Sequence, residues 1–307
     1  MKNVNKKQFA VVTGASQGLG KAFAVELARR KINLILVSLP CQQLEQLAGK
    51  IFSEFQVEVH YFEMDLSKPK KVLELAQQIN EKFQVFILIN NAGLGGSQRF
   101  TDVSFRYLFN ILQVNVVATS VLTHQLLPNL MHRQQSYILN VSSMAAFSPI
   151  GYKTVYPASK SFIHSFSRGL CEELKNTSVF VSVVNPGAMK TNAEVTKRIE
   201  KQGILGRLTL LEPDKVARYC IRQLFRKDSV IMVNRLSWAL LQMIPIWIKL
   251  PLMTRAVRRE IEHDRPGEPQ RASSPWELTE SDLASYLIKK NKNEDSIFNR
   301  DKRFVGN

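Results

Sequence analysis

Tyr156 and Lys160 stand four positions apart in the run Tyr156-Pro-Ala-Ser-Lys160, and Ser143 lies thirteen positions earlier. Residues four apart on a helix share a face, which sets the lysine ammonium beside the phenol. A neighbouring positive charge favours the phenolate and predicts a tyrosine pKa below its usual value of about 10. Such a tyrosine can pass a proton near neutral pH. Ser143 follows the apolar run 136–142 and is read as the end of that strand, with a hydroxyl able to hydrogen-bond a carbonyl oxygen as negative charge develops on it. The chemistry indicated is proton transfer to or from a substrate oxygen. A lone Tyr-x-x-x-Lys is common in large proteins; its worth here lies in what accompanies it.

What accompanies it is a glycine-rich turn. The first apolar run ends in Thr13-Gly14-Ala15-Ser16-Gln17-Gly18-Leu19-Gly20, and a helical pattern follows. Glycines in such a turn allow tight curvature and close approach of the backbone to a diphosphate. The helix N-terminus then presents free N–H groups to the phosphates. Asn90-Asn91-Ala92-Gly93 closes a later strand at the same end, although that tetrapeptide alone also suits a simple turn. His124, His132 and His164 are scattered on helical patterns, and no Cys/His spacing suits a metal.

These residues need a frame. Short apolar runs at 9–12, 33–38, 58–62, 85–90, 136–142, 179–185 and 229–233 read as strands covered on both faces. Helical patterns fall between them at 19–30, 42–55, 70–83, 105–131, 159–175 and 214–227. The alternation predicts an α/β, Rossmann-like, doubly wound parallel sheet of about seven strands, with its ligand crevice at the strands' carboxyl ends. Residues 1–233 form the expected dinucleotide-binding catalytic domain, 234–260 an apolar and basic helical extension, and 261–307 a mostly irregular polar tail with at most a short helix at 281–289.

Composition narrows the setting. The 307 residues carry 42 Lys plus Arg against 26 Asp plus Glu, a formal charge of +16. The segment 197–260 holds 14 basic and 5 acidic residues and so supplies more than half of that excess. This suggests an anionic partner for the block. Three cysteines, Cys41, Cys171 and Cys220, are too few and too scattered for a disulfide framework, which points to a reducing compartment. The apolar run after Gln8 is too short for a signal-peptide core, which points to a cytoplasmic protein. Within 235–253, Arg235, Gln242 and Lys249 recur every seven residues. On one continuous helix they would form a narrow polar stripe beside a broad apolar circumference. Two tryptophans and the following Arg255, Arg258 and Arg259 suit attachment of 235–259 to an anionic membrane surface, peripheral to the cytoplasm. A flap over the substrate cleft or a subunit contact is the alternative.

Taken together, TGASQGLG at 13–20, Asp65-Leu66, NNAG at 90–93, Asn115, NVSS at 140–143, YPASK at 156–160 and PGAMKT at 186–191 resemble the short-chain dehydrogenase/reductase family over roughly residues 8–233. The resemblance implies a catalytic tetrad of Asn115, Ser143, Tyr156 and Lys160. Tyr156 would exchange the proton, Ser143 would orient the substrate oxygen, and Lys160 would hold the nicotinamide ribose and tune Tyr156. Asn115 would place a water linking Lys160 to solvent. It further implies cofactor contacts at Gly14, Ser16, Gln17, Gly18, Leu19 and Gly20, at Asp65 and Leu66, at Asn91, Ala92 and Gly93, and at Pro186, Gly187 and Thr191, with a homo-oligomeric assembly.

The second strand ends in Ser38-Leu39-Pro40, without the carboxylate that would repel a 2′-phosphate. The family's basic residues for NADP are also missing, since Leu39 and Gln17 stand in their places. NADP(H) is favoured over NAD(H), with Ser38 as a phosphate partner. Substrate-side segments 94–96, 144–152 and 188–211 are largely apolar, which predicts a hydrophobic small-molecule substrate, lipid-, acyl- or steroid-like. A reductase-like nucleotide-binding module with little turnover is the alternative. A basic pI without an aromatic-and-basic surface motif predicts no nucleic-acid partner.

Overall fold

The computed structural model describes residues 7–187, 189 and 211–263. Seven strands form one parallel sheet in the order β3-β2-β1-β4-β5-β6-β7. They span Phe9–Thr13 (β1), Asn33–Ser38 (β2), Val59–Glu63 (β3), Val85–Asn90 (β4), Ser136–Val141 (β5), Val179–Asn185 (β6) and Val230–Met232 (β7). The order reverses between β1 and β4, so the connections leave on opposite faces and open a crevice above the carboxyl ends of these strands. The doubly wound sheet predicted from the apolar runs is present.

Alternation along each strand feeds two cores. Ala10, Val12, Leu36, Ile89 and Leu139 point to a layer made by α1 (Gly18–Arg29), α2 (Leu44–Phe55) and α7 (Pro213–Phe225). Val11, Ile35, Val37, Leu88 and Ile138 point to the opposite layer, with α3 (Pro69–Lys82) and α5 (Thr119–Met131). Most of these strand residues are wholly buried, and truncating one such leucine to alanine costs about 2–5 kcal/mol. The edge strand β3 is only half covered, as an edge should be.

The predicted helix 105–131 is helical throughout but not uniform. It comprises α4 (Phe105–Leu112), a π-helical segment Gln113–Ala118 and α5. Its length and mean hydropathy of 1.2 would suffice to cross a membrane. Here, however, Leu122, Leu126 and Leu130 are buried against the sheet layer. A 3₁₀ turn, Met144–Phe147, and α6 (Val155–Glu173) follow β5.

The extension forms two helices, α8 (Arg235–Met243) and α9 (Ile246–His263), rather than the single helix that the seven-residue stripe requires. Pro245 separates them; its carbonyl accepts from Ile248 and Lys249 N–H at 3.0 Å, opening α9. The break abolishes the stripe: Arg235 and Gln242 are exposed, whereas Lys249 is turned inward at 5% exposure. Helix α9 runs to His263, and the expected helix at 281–289 lies outside the described residues.

Candidate active site

The β1–α1 turn is built around two close approaches. Gly14 has φ +64°, and a Cβ there would lie 2.9 Å from Ala92 Cα; a Cβ on Gly20 would lie 2.0 Å from the Gly14 carbonyl oxygen. Only glycine fits either place. Gln17 caps α1 without a side-chain hydrogen bond, and the first turn carries no acidic residue. The opening N–H groups and the helix dipole are therefore directed at the crevice, as a diphosphate requires. The Leu19 side chain is 4% exposed in the core, which leaves only its backbone available to the crevice.

Thr13 and Asn91 fasten this turn to β4. Thr13 Oγ1 accepts from the Asn91 and Ala92 N–H groups at 2.9 and 3.0 Å. Asn91 Nδ2 donates to the carbonyls of Thr13 and Gly14 at 2.9 and 3.2 Å. The Asn91 side chain thus ties the turn to the end of β4. Thr13 has no role in the sequence reading; its position at the head of the glycine run is the signal that marks it.

The other expected cofactor residues differ in what they do in the fold. Ser16 donates to Gln42 Oε1 at 2.5 Å. Asp65 Oδ1 accepts from Ser67 N–H at 2.9 Å, closing the turn after β3, while Leu66 is a core residue. Ser38 is buried at the end of β2, where its hydroxyl donates to the Leu39 carbonyl at 3.0 Å; Leu39 itself is 42% exposed. The Pro186 carbonyl accepts from Met144 N–H at 2.9 Å, which ties the end of β6 to the 3₁₀ turn. Gly187 follows it, and Thr191 lies outside the described residues.

The residues expected to do proton chemistry come together beside Gly93. Lys160, 5% exposed on α6, donates from Nζ to the Val141 carbonyl at 2.8 Å. Its Nζ lies 5.9 Å from the Tyr156 ring centroid. A Cβ on Gly93 would approach Lys160 Nζ at 3.3 Å and Asn115 Oδ1 at 3.4 Å, so both polar groups face the glycine. Ser142 Oγ donates to the Lys160 carbonyl at 2.7 Å and fixes α6 to β5. Ser143 sits two residues beyond β5, not at its end. Backbone departs from the strand after Val141, and Ser143 caps the 3₁₀ turn by accepting from Ala145 N–H at 3.1 Å.

Asn115 lies in the π-helical segment, and its carboxamide is spoken for. Oδ1 accepts from Leu94 N–H at 2.7 Å, while Nδ2 donates to the Leu94 carbonyl and to Ser159 Oγ, both at 2.9 Å. The side chain braces the loop after β4 against α6.

Electrostatics reverse one expectation. Burial holds the Tyr156 phenol above the ordinary tyrosine value, and the hydrogen bond from Ser143 only partly offsets this. Loss of hydration outweighs the expected lowering by the lysine. Burial also pulls Lys160 down to about 8. The Tyr156 phenol is therefore protonated at neutral pH and Lys160 remains mostly charged. Among the described residues no His, Cys, Asp or Glu cluster could hold a metal.

The fold and this cluster define a dinucleotide-binding α/β protein with a Ser–Tyr–Lys site. The profile of the short chain dehydrogenase family matches residues 8–202, and the chain belongs to that family. It is 34% identical over 182 residues to the very-long-chain 3-oxoacyl-CoA reductase of Anas platyrhynchos, covering 58% of each chain. It is 34% identical over 188 residues to a human protein named inactive hydroxysteroid dehydrogenase-like protein 1, covering 60% of this chain and 57% of that one. The matches thus span less than two thirds of either relative. A short-chain dehydrogenase from Sphingobium yanoikuyae, solved with NADPH, shares the fold with a TM-score of 0.68 at 24% identity, over 88% of this chain and all of that one.

Proposed function

We propose that the protein is an oxidoreductase that moves a hydride between NADP(H) and the carbonyl or alcohol carbon of a hydrophobic, lipid-, acyl- or steroid-like substrate. The observation that carries this reading is the complete set of Ser143, Tyr156 and Lys160, gathered at the strand ends beside a glycine turn that fits a diphosphate. When bound, the nicotinamide supplies or accepts the hydride. The chain's residues do the rest. Gly18, Leu19 and Gly20 offer backbone N–H groups to the diphosphate, and Lys160 offers its ammonium beside Gly93. Ser143 orients the substrate oxygen, and Tyr156 delivers a proton to it from Oη. A phenol held protonated by burial suits reduction of a carbonyl.

The apolar lining supports the substrate class. Phe147 and Ile150 stand in the segment between Ser143 and Tyr156, and Phe100, Val103, Leu108 and Ile111 line a small cavity reaching Tyr156. The very-long-chain reductase similarity agrees with this class. Preference for NADP(H) rests on the missing carboxylate at the end of β2.

A second reading, a nucleotide-binding module with little turnover, draws on the relative named inactive. The decisive experiment follows NADPH consumption over ketones of increasing chain length, with Tyr156→Phe as control. Turnover that rises with chain length and falls at least ~10²-fold in Tyr156→Phe is the expected result. NADPH binding without turnover on any ketone would favour the second reading, and a fully active Tyr156→Phe would overturn the assigned mechanism.

A further inference from the structure

Exposed large apolar side chains are concentrated at one place. Of the sixteen among the described residues, six fall within the thirteen positions from Leu240 to Leu252. Met243 is 79% exposed and Trp247 73%; Leu240, Ile246, Ile248 and Leu252 lie between 42% and 58%. These belong to the end of α8, the Pro245 turn and the first half of α9.

The packing of α9 explains the exposure. Lys249 and Val257, both 5% exposed, lie on its inner side. Thr254 lies between them in sequence, and its Oγ1 accepts from Gly151 N–H at 3.0 Å. Trp247, Ile248 and Leu252 are left outward, and Arg255, Arg258 and Arg259 continue the exposed side one to two turns further on. Arg258 pairs with Glu262 at 2.7 Å and Arg235 with Asp228 at 3.4 Å, both at the surface. Exposed surface along α9 therefore passes from apolar to basic.

A second copy of the chain is a poor occupant for this surface. A two-fold contact pairs this patch with itself, so it could cover the apolar turn but supplies no net negative charge for Arg255, Arg258 and Arg259. An anionic lipid surface meets both halves: apolar side chains enter the acyl boundary, tryptophan suits the interface, and arginines reach the head groups.

We propose that the α8–α9 hairpin is an interfacial anchor whose Trp247 turn seats in an anionic leaflet and holds the substrate side of the protein against it. The coupling to the site is direct. Trp238 of α8 packs edge-on to Phe147, with ring centroids 6.1 Å apart, and Thr254 holds Gly151. Both contacts fall in 144–152, between Ser143 and Tyr156. A substrate dissolved in the leaflet would then reach the site without crossing water. That use of the anchor rests on the proposed lipid-like substrate; the attachment itself does not.

The test uses the full chain with phosphatidylcholine vesicles, with and without phosphatidylserine, read by sedimentation. Wild type is expected to sediment with the phosphatidylserine vesicles. Binding should fall, but persist, between about 0.1 and 1 M salt, where the Debye length drops from ~10 to ~3 Å. Trp247→Glu with Leu252→Glu should cut the bound fraction on the order of tenfold or more while NADPH binding stays unchanged. Both positions are exposed, so folding is spared.

Protein remaining in the supernatant with both vesicle types overturns the anchor, as does a double variant that sediments like wild type. A dimer in gel filtration that the double variant splits, without vesicle binding, identifies a second copy as the occupant and also overturns it. Vesicle binding with no turnover on any ketone leaves the anchor standing and removes only the proposed activity.

Discussion

Ser159 joins the two halves of the site. Asn115 Nδ2 donates to its hydroxyl at 2.9 Å, and that hydroxyl donates to the Tyr156 carbonyl at 2.7 Å. Asn115 also holds both polar groups of the Leu94 backbone, so one serine connects the loop after β4 to the helix carrying Tyr156.

Ser159→Ala leaves a buried Asn115 N–H without its partner. The expected cost is about 1–3 kcal/mol in urea unfolding, together with a lower kcat. Unchanged stability and rate would show that Asn115 is held well enough by Leu94 alone.

Lys160 predicts an unusual pH dependence. Its folded pKa of about 8 lies below the unfolded value, so the buried ammonium destabilises the fold at neutral pH. That cost, on the order of 3 kcal/mol, is present in full below about pH 8 and disappears as pH rises toward the ordinary lysine value. Lys160→Met should therefore unfold at higher temperature than wild type at pH 7, with an advantage that shrinks by pH 10, while turnover is lost. In the wild type, kcat/KM for reduction should decline above about pH 8 as the ammonium deprotonates.

Cofactor choice provides a further test. NADPH should bind more tightly than NADH, Leu39→Arg should widen the gap, and Ser38→Asp should reverse it. A carboxylate there repels the 2′-phosphate and accepts from a free 2′-hydroxyl. Titration of cofactor fluorescence measures all three, and equal affinities in the wild type would refute the preference.

Gly20→Ala should abolish cofactor binding and lower stability by about 1–3 kcal/mol or more. The atoms its Cβ would strike, the Gly14 carbonyl oxygen at 2.0 Å and carbon at 2.7 Å, are backbone and cannot swing aside. Isothermal titration with NADPH and a melting curve read the two effects separately.

Much of this architecture is legible in the sequence because buried parallel strands leave continuous apolar runs. Leu34 to Val37 in β2, for example, are covered on both faces, so no polar residue interrupts them. The cofactor turn is legible because glycine alone tolerates its close approaches. The π-helical segment around Asn115 is not, since one extra residue per turn scarcely alters an apolar pattern. Sequence reading misplaces Ser143 by two residues because an apolar run does not mark where pairing stops. It sets Lys249 on an outer stripe because periodicity counted across Pro245 ignores the break. The upward shift of Tyr156 comes from desolvation by the residues packed around its phenol in the folded chain, and no single stretch of sequence contains that information.

Thr13 and Asn91 carry a consequence for nucleotide capture. Their four hydrogen bonds fix the Gly14 turn to the end of β4. A diphosphate bound at this turn would meet a preorganised cradle, and association would not need to freeze a loose loop. Less of the gross interaction is lost to ordering, and the surplus remains as affinity.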